Sequence, residues 1–214
     1  MQISWNGLGS FTITGKPIEG DITLVTDPYQ NSTGLRFPRT LSASIVVSSH
    51  DGVMANSVAS VAGEEKKKPF VVDHAGEYEV QGIFVTGLRA PKKDKTEHTI
   101  YRFGLEDIRI GFLGAIDRKL SDKEVEALGS IDVLILPVGG GGVLSKDEAS
   151  ELVAQIEPRL VIPSHFNVQG LKEKLEDVEG FCKEVACPKS EEKKLKITKS
   201  SLPAEDMQIV VLEK

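Results

Sequence analysis

The sequence predicts an α/β fold of stacked sheets with helices on their outer faces, and two patterns carry that prediction. The first half is a succession of short apolar or β-branched runs bounded by Gly, Pro, Asn and Asp, the way strands and their turns read. The second half alternates apolar strands with amphipathic helices, and strand-rich segments followed by β-α-β-α units pack as sheets covered by helices. The 214 residues, 40% hydrophobic and 27% charged, suffice for one sizeable core, so a single domain spanning 1–214 is expected.

Taken in order, strands are expected at 2–5, 10–14, 22–25 and 44–47. Three more fall within 69–88, at Phe70-Val71-Val72, Tyr78-Glu79-Val80 and Ile83-Phe84-Val85, with Gln81-Gly82 as a tight hairpin connection. Segments 99–103 and 108–112 flank Gly104 and Asp107 as a further hairpin, and the lysine-rich stretch 91–97 reads as an exposed hairpin tip. A helix opens at Ser121, whose partner Glu124 completes a capping box, and a second opens at Ser145 with Glu148 in the same role. Between them lies 131–136, apolar apart from Asp132, which suits a strand buried on both faces; the aspartate is expected to be held by local hydrogen bonds. Leu160-Val161-Ile162 is the next strand, 168–185 reads as a long amphipathic helix, and strands at 195–198 and 208–212 close the pattern.

The formal net charge of -6 argues against nucleic acid as a partner, because phosphate binding needs clustered Lys and Arg. The one dense basic run, Lys66-Lys67-Lys68, follows two glutamates and reads as a solvated loop. No run approaches the ~18 apolar residues needed to cross a membrane, and no basic segment followed by an apolar stretch opens the chain. Two cysteines, Cys182 and Cys187, make neither a disulfide framework nor a zinc ribbon. A reducing cytoplasm is the expected compartment. Nothing in the sequence sets an oligomeric state.

Histidine is the informative residue, since there are only four. His98, beside the lysine-rich tip at the start of a strand, reads as plain surface. His50, His74 and His165 stand at strand ends, where α/β proteins place ligand and metal groups. Imidazole and carboxylate together suit zinc, manganese or iron, but no two histidines have the spacing that puts them on one face. The glycine run 139–142 follows a strand and precedes a helix, yet lacks the Lys-Ser/Thr pair of a phosphate loop. It reads as a tight turn framing a cavity. No nucleophile motif is present, since neither Ser10 nor Ser164 has the Gly-x-Ser-x-Gly context.

An ordered series of segments resembles the ascorbate-phosphate-lactonase-like branch of the metallo-β-lactamase superfamily. The series runs from Trp5-Asn6-Gly7 and Asp27-Pro28 through Ser48-Ser49-His50-Asp51, Gly76-Glu77-Tyr78 and Phe112-Leu113-Gly114. It continues in Ile131-Asp132-Val133-Leu134-Ile135-Leu136-Pro137-Val138-Gly139-Gly140 and Ile162-Pro163-Ser164-His165-Phe166. The resemblance implies a metallo-β-lactamase-type αβ/βα four-layer sandwich with a metal cleft along one edge of its two sheets.

The same resemblance locates what is missing. Where the family carries His-x-His-x-Asp-His, this chain reads His50, Gly52, Met54 and Ala55, and the bridging aspartate falls at Ala115. Only His50 and His165 remain, whereas catalytic zinc takes three protein ligands and a water. Asp117, two residues past Ala115, could return a carboxylate to the same face, and Asp51 or His74 could turn inward. His50, His165 and Asp117 are therefore the candidate metal residues, as a vestigial or rebuilt mononuclear site. No cofactor is expected; if there is one, it is a single zinc, manganese or iron ion. The expectation is a hydrolase-like protein, catalytically inactive or altered, with a small-molecule ligand in the cleft as its possible partner. The alternative is an active hydrolase of a lactone or phosphoester.

Overall fold

The computed structural model describes residues 1–17, 20–64, 67–187 and 192–214. Its first half is β1 (Gln2–Gly7), β2 (Ser10–Gly15), β3 (Ile22–Thr26), β4 (Ser42–Ala43), β5 (Ile45–Val47), β6 (Ala62–Gly63), β7 (Phe70–Val72), β8 (Gly76–Val80) and β9 (Ile83–Arg89). There follow β10 (Thr99–Leu105), β11 (Ile108–Phe112), α1 (Asp122–Leu128), β12 (Val133–Pro137), α2 (Lys146–Ile156) and β13 (Leu160–Ser164). The chain ends in α3 (Val178–Val185), β14 (Leu195–Lys196) and β15 (Gln208–Ile209).

The strands form two main sheets, in the orders β14-β1-β2-β3-β5-β7 and β15-β13-β12-β11-β10-β9-β8, beside the small pair β4-β6. One apolar core lies between the main sheets. Ile3, Phe11, Leu24, Ile45 and Val47 of the first sheet meet Val85, Tyr101, Phe103 and Phe112 of the second. Alternation along β3 and β5 sends Val25 and Val46 to the opposite face, where they pack with Leu8, Tyr29, Phe37 and Val61. That outer layer is made of irregular segments and one-turn helices, whereas α1 and α2 cover the second sheet. The fold is the expected α/β sandwich, with its third helix shorter than the pattern implied.

Local chemistry explains most elements. Both capping boxes form: Ser121 Oγ accepts from the Glu124 N–H and Ser145 Oγ from the Glu148 N–H, with each glutamate reaching back to its cap. β12 is buried along its whole length between β11 and β13, as its unbroken apolar run requires. Gln81 and Gly82 both take positive φ (50° and 82°), the twist a two-residue hairpin needs. Asp132 takes the Arg109 N–H at 2.8 Å and the Lys199 ammonium at 2.9 Å, so its burial is compensated.

Two expectations are corrected. The helix expected over 168–185 starts only at Val178. Its first part is instead strapped as a loop, because Lys172 N–H donates to Thr33, Asn167 N–H to Glu176, and Glu176 N–H to Gly139. Those tertiary hydrogen bonds outweigh the apolar periodicity. Cys182 and Cys187 are joined as a disulfide. α3 ends with Ala186 in the left-handed conformation (φ 55°), which turns the chain back and leaves the two Cα atoms 4.7 Å apart. Within the basic run, Lys67 and Lys68 are exposed, and Lys66 lies outside the described residues.

Candidate functional site

The topology brings several strand ends to one edge of the sandwich. β3, β5 and β7 are parallel, and so are β11, β12, β13 and β15, so their carboxyl ends gather side chains there. β10 runs antiparallel to β11 and therefore begins at that same edge. Asp27 follows β3, Ser49 and His50 follow β5, His165 follows β13, and His98 immediately precedes β10.

Asp27 and Ser49 form the floor. The Ser49 N–H and hydroxyl each donate to one carboxylate oxygen of Asp27, both at 2.7 Å. Ser49 Oγ also stands 3.0 Å from His50 Nδ1. The His50 and His98 rings are near-stacked with centroids 5.8 Å apart. His165 closes the opposite side: a Cβ placed on Gly9 would lie 2.6 Å from His165 Cε1 and 2.9 Å from Asp27 Oδ2. Only glycine fits at position 9. Gly139 is required for a similar reason, since a Cβ there would come within 2.1 Å of the His165 carbonyl. The glycine run is thus a turn beside the site, close-packed at Gly139 and Gly141. Asp27 (φ 36°) and His165 (φ 46°) both occupy the left-handed region, a conformation that costs a non-glycine residue on the order of 1 kcal/mol.

Burial sets the electrostatics. Desolvation pushes the Asp27 carboxyl up from 3.8 to about 7, against the hydrogen bonds from Ser49 and the nearby Lys92 charge. It holds His50 down at about 4 and His165 at about 3, with Lys92 acting in the same direction. His98 is driven well below the usual imidazole range, again chiefly by burial. The imidazoles are neutral at physiological pH. Both ring nitrogens of His98 and Nε2 of His165 are buried without a hydrogen-bond partner.

His98 corrects the sequence reading, being 1% exposed rather than on the surface. It precedes an antiparallel strand, whose amino end shares the edge with the carboxyl ends of the parallel strands. His50 and His165 do stand in this cleft. Asp117 lies at its margin, half-buried, with its carboxylate taken by the Lys93 N–H at 2.9 Å. His74 is exposed against Asp73, and exposed Asp51 accepts from Asn56, so neither joins the group. Asp27, Ser49 and Lys92 are not among the site residues expected from the sequence, although Asp27-Pro28 and Ser48-Ser49-His50-Asp51 belong to the segments that carry the resemblance.

The residues present do not fit a metal centre. Both Asp27 oxygens are engaged by Ser49, Met54 packs its thioether against the outer apolar cluster, and fully buried Ala55 and Ala115 offer no donor. Among the described residues, no three His, Cys, Asp or Glu side chains are arranged to hold a metal ion.

The family described as the β-lactamase superfamily domain matches residues 2–165. The chain belongs to the metallo-β-lactamase superfamily. Among its relatives is a UPF0173 metal-dependent hydrolase of Thermoplasma acidophilum, 24% identical over 197 residues that cover 78% of this chain and 84% of that protein. Among solved structures, a candidate Zn-dependent hydrolase of the metallo-β-lactamase superfamily from Thermotoga maritima superposes with a TM-score of 0.78 at 27% identity. That match covers 99% of this chain and 97% of the other. Igni18, a metallo hydrolase of Ignicoccus hospitalis, shares the fold at a TM-score of 0.66 and 15% identity, over 99% and 94% of the two chains. In this superfamily member, then, the cleft is lined by buried imidazoles and an aspartate engaged by Ser49.

Proposed function

We propose that this protein is a member of the ascorbate-phosphate-lactonase-like branch with a degenerate metal site. In this reading the cleft binds a small polar molecule without hydrolysing it through a metal-activated water, and nucleic acid is not a partner. The observation that carries the proposal is the donor set. Gly52 and Ala115 supply no ligand atom and Met54 only a packed thioether, where a hydrolytic site needs hard donors and an open water position. The partnerless nitrogens of His98 and His165 support a bound guest, because buried polar groups otherwise find partners.

The test is elemental analysis of protein purified without a metal-affinity tag or chelator, with melting curves in EDTA and in added zinc. The proposal expects metal far below one equivalent and an unchanged Tm, since a bound ion stabilises by mass action. One observation favours a second reading, an active hydrolase on a rebuilt mononuclear site of His50, His165 and Asp117: His165 Nε2 is buried and free to ligate. That reading expects stoichiometric metal, its loss in His165→Ala, and lactone or phosphoester hydrolysis that tracks metal content. Those results together would replace the first reading with the second.

A further inference from the structure

The two main sheets end in four edge strands, β14 and β7 in the first and β15 and β8 in the second. Soluble proteins blunt such edges with short strands or charged side chains, because free N–H and C=O groups invite another chain. β14 and β15 are two residues each, and β8 exposes Glu77 and Glu79. β7 differs. It places two exposed apolar side chains in a row, Phe70 at 46% and Val71 at 37% exposure. The Phe70 ring meets Tyr78 of β8, with centroids 6.2 Å apart, and stays half open to solvent.

The ladder decides which backbone groups of β7 are free. The Phe70 N–H donates to the Ser44 carbonyl at 2.8 Å and the Ser48 N–H to the Val72 carbonyl at 2.9 Å, with Val71 in register with Val46 of β5. Successive residues of a strand aim their backbone groups to opposite sides. Phe70 and Val72 therefore face β5, while Val71 and Asp73 turn their N–H and C=O groups outward, as Pro69 does its carbonyl. No strand lies beyond β7 among the described residues.

That edge is complementary to itself. With two copies antiparallel about a twofold axis at Val71, each Val71 N–H meets the other Val71 carbonyl. Each Asp73 N–H then meets the other copy's Pro69 carbonyl, where proline's missing N–H costs only the return bond. Phe70 of each copy comes to lie across from Val72 of the other and diagonal to the other Phe70, so both exposed rings are covered. The charges agree with this direction. β7 is entered from exposed Lys68 and left through exposed Asp73 and His74, whose ring holds the Asp73 carboxylate at 2.7 Å. Antiparallel alignment carries the cation of one copy towards the carboxylate of the other, whereas parallel alignment would set like charges together.

We propose that β7 is a docking edge for a second copy of this chain, which adds its own β7 antiparallel and in register at Val71, joining the first sheets of two molecules into one. The same surface serves both copies, so the contact closes as a dimer. Pairing of β7 with β8 of another copy would instead leave an edge free at each end and grow longer assemblies. A short strand pair covers less than the ~1,200 Å² of a standard interface, so the dimer is a weak one, forming at concentrations on the order of 100 μM.

The test is sedimentation equilibrium of the full chain from ~10 μM to ~1 mM, for wild type, Val71→Pro and Val71→Lys. Proline removes the outward N–H while keeping an extended edge, and lysine sets two like charges opposite each other at the axis. Far-UV circular dichroism checks that each variant is folded, and the two substitutions guard against one of them misfolding. The expected result is a monomer–dimer equilibrium in wild type that both variants weaken at least about tenfold. Single cysteines then check the register, since Cys182 and Cys187 are already paired. Across the axis the Cα atoms of residue 71 should stand ~5.5 Å apart, within disulfide reach, and those of residue 73 more than ~13 Å. Oxidised Val71→Cys should therefore form a covalent dimer and Asp73→Cys should not. A wild type that stays monomeric to ~1 mM would overturn the inference and leave the edge to some other extended chain. So would a dimer that both Val71 substitutions leave intact, cross-linking at residue 73 as readily as at 71, or assemblies that grow past the dimer.

Discussion

Replacing Asp27 with asparagine isolates the cost of a charge buried in the cleft floor. The carboxyl stands at about 7 in the folded protein against an ordinary 3.8, with burial as the main cause. A carboxyl raised on folding means that the folded state holds its proton more tightly than the unfolded chain. Its destabilising effect is absent below pH ~3.8, grows as pH rises, and is complete above pH ~7. Each tenfold change in proton affinity is worth about 1.4 kcal/mol, so the full displacement amounts to about 4 kcal/mol, of which about 2–3 falls between pH 5 and pH 8. The amide introduced by Asp27→Asn can keep the geometry, with its carbonyl accepting the Ser49 N–H and its NH2 group donating to the Ser49 hydroxyl, while never ionising. Urea denaturation of both proteins at the two pH values gives the difference. The buried imidazoles act in the opposite sense, losing stability as pH falls below ~6.5 because the unfolded chain then takes up protons they refuse. That contribution is common to both proteins and cancels. Asp27→Asn should gain stability over wild type on going from pH 5 to pH 8, by on the order of 2 kcal/mol. An unchanged difference between the two pH values, or a mutant less stable than wild type at pH 8, would show that the ionised carboxylate is an asset to the fold.

Two further outcomes follow from the same structure. His98→Leu removes a buried imidazole with two unpartnered nitrogens, so it should be neutral or stabilising by up to about 2 kcal/mol in chemical denaturation, rather than costing what a core truncation does. It should also flatten the fall in stability below pH 6. The Cys182–Cys187 disulfide closes a short loop, for which chain-entropy reasoning gives about 2 kcal/mol, so the double serine variant should melt lower and wild type should respond to dithiothreitol while the variant does not.

Elements governed by local chemistry were legible in the residues themselves. Both capping boxes, the Gln81-Gly82 hairpin and the doubly buried β12 follow from spacing and composition, because each depends on interactions within a few residues or on a simple apolar period. The absence of hard donors at Gly52, Met54, Ala55 and Ala115 was equally plain, since a side chain without a nitrogen or oxygen ligand atom lacks it in any fold. Chain packing, by contrast, overrode the helical period over 168–177, where backbone bonds to Thr33 and Gly139 hold a loop.

Residue type, short-range pattern and the family resemblance together anticipated the sandwich and most of its strand and helix order, and residue type alone shows which side chains stand at positions 52, 54, 55 and 115. The make-up of the cleft emerged only once the sheets were assembled. His98 adjoins a lysine-rich tip that looks solvated, and becomes a cleft residue because an antiparallel strand returns its start to the edge where parallel strands finish. Asp27 becomes a perturbed carboxyl because the assembled sheets bury it, against the Ser49 hydrogen bonds that reach it across β3 and β5. Burial and proximity are properties of the assembled sheets, and no run of residues read alone contains them.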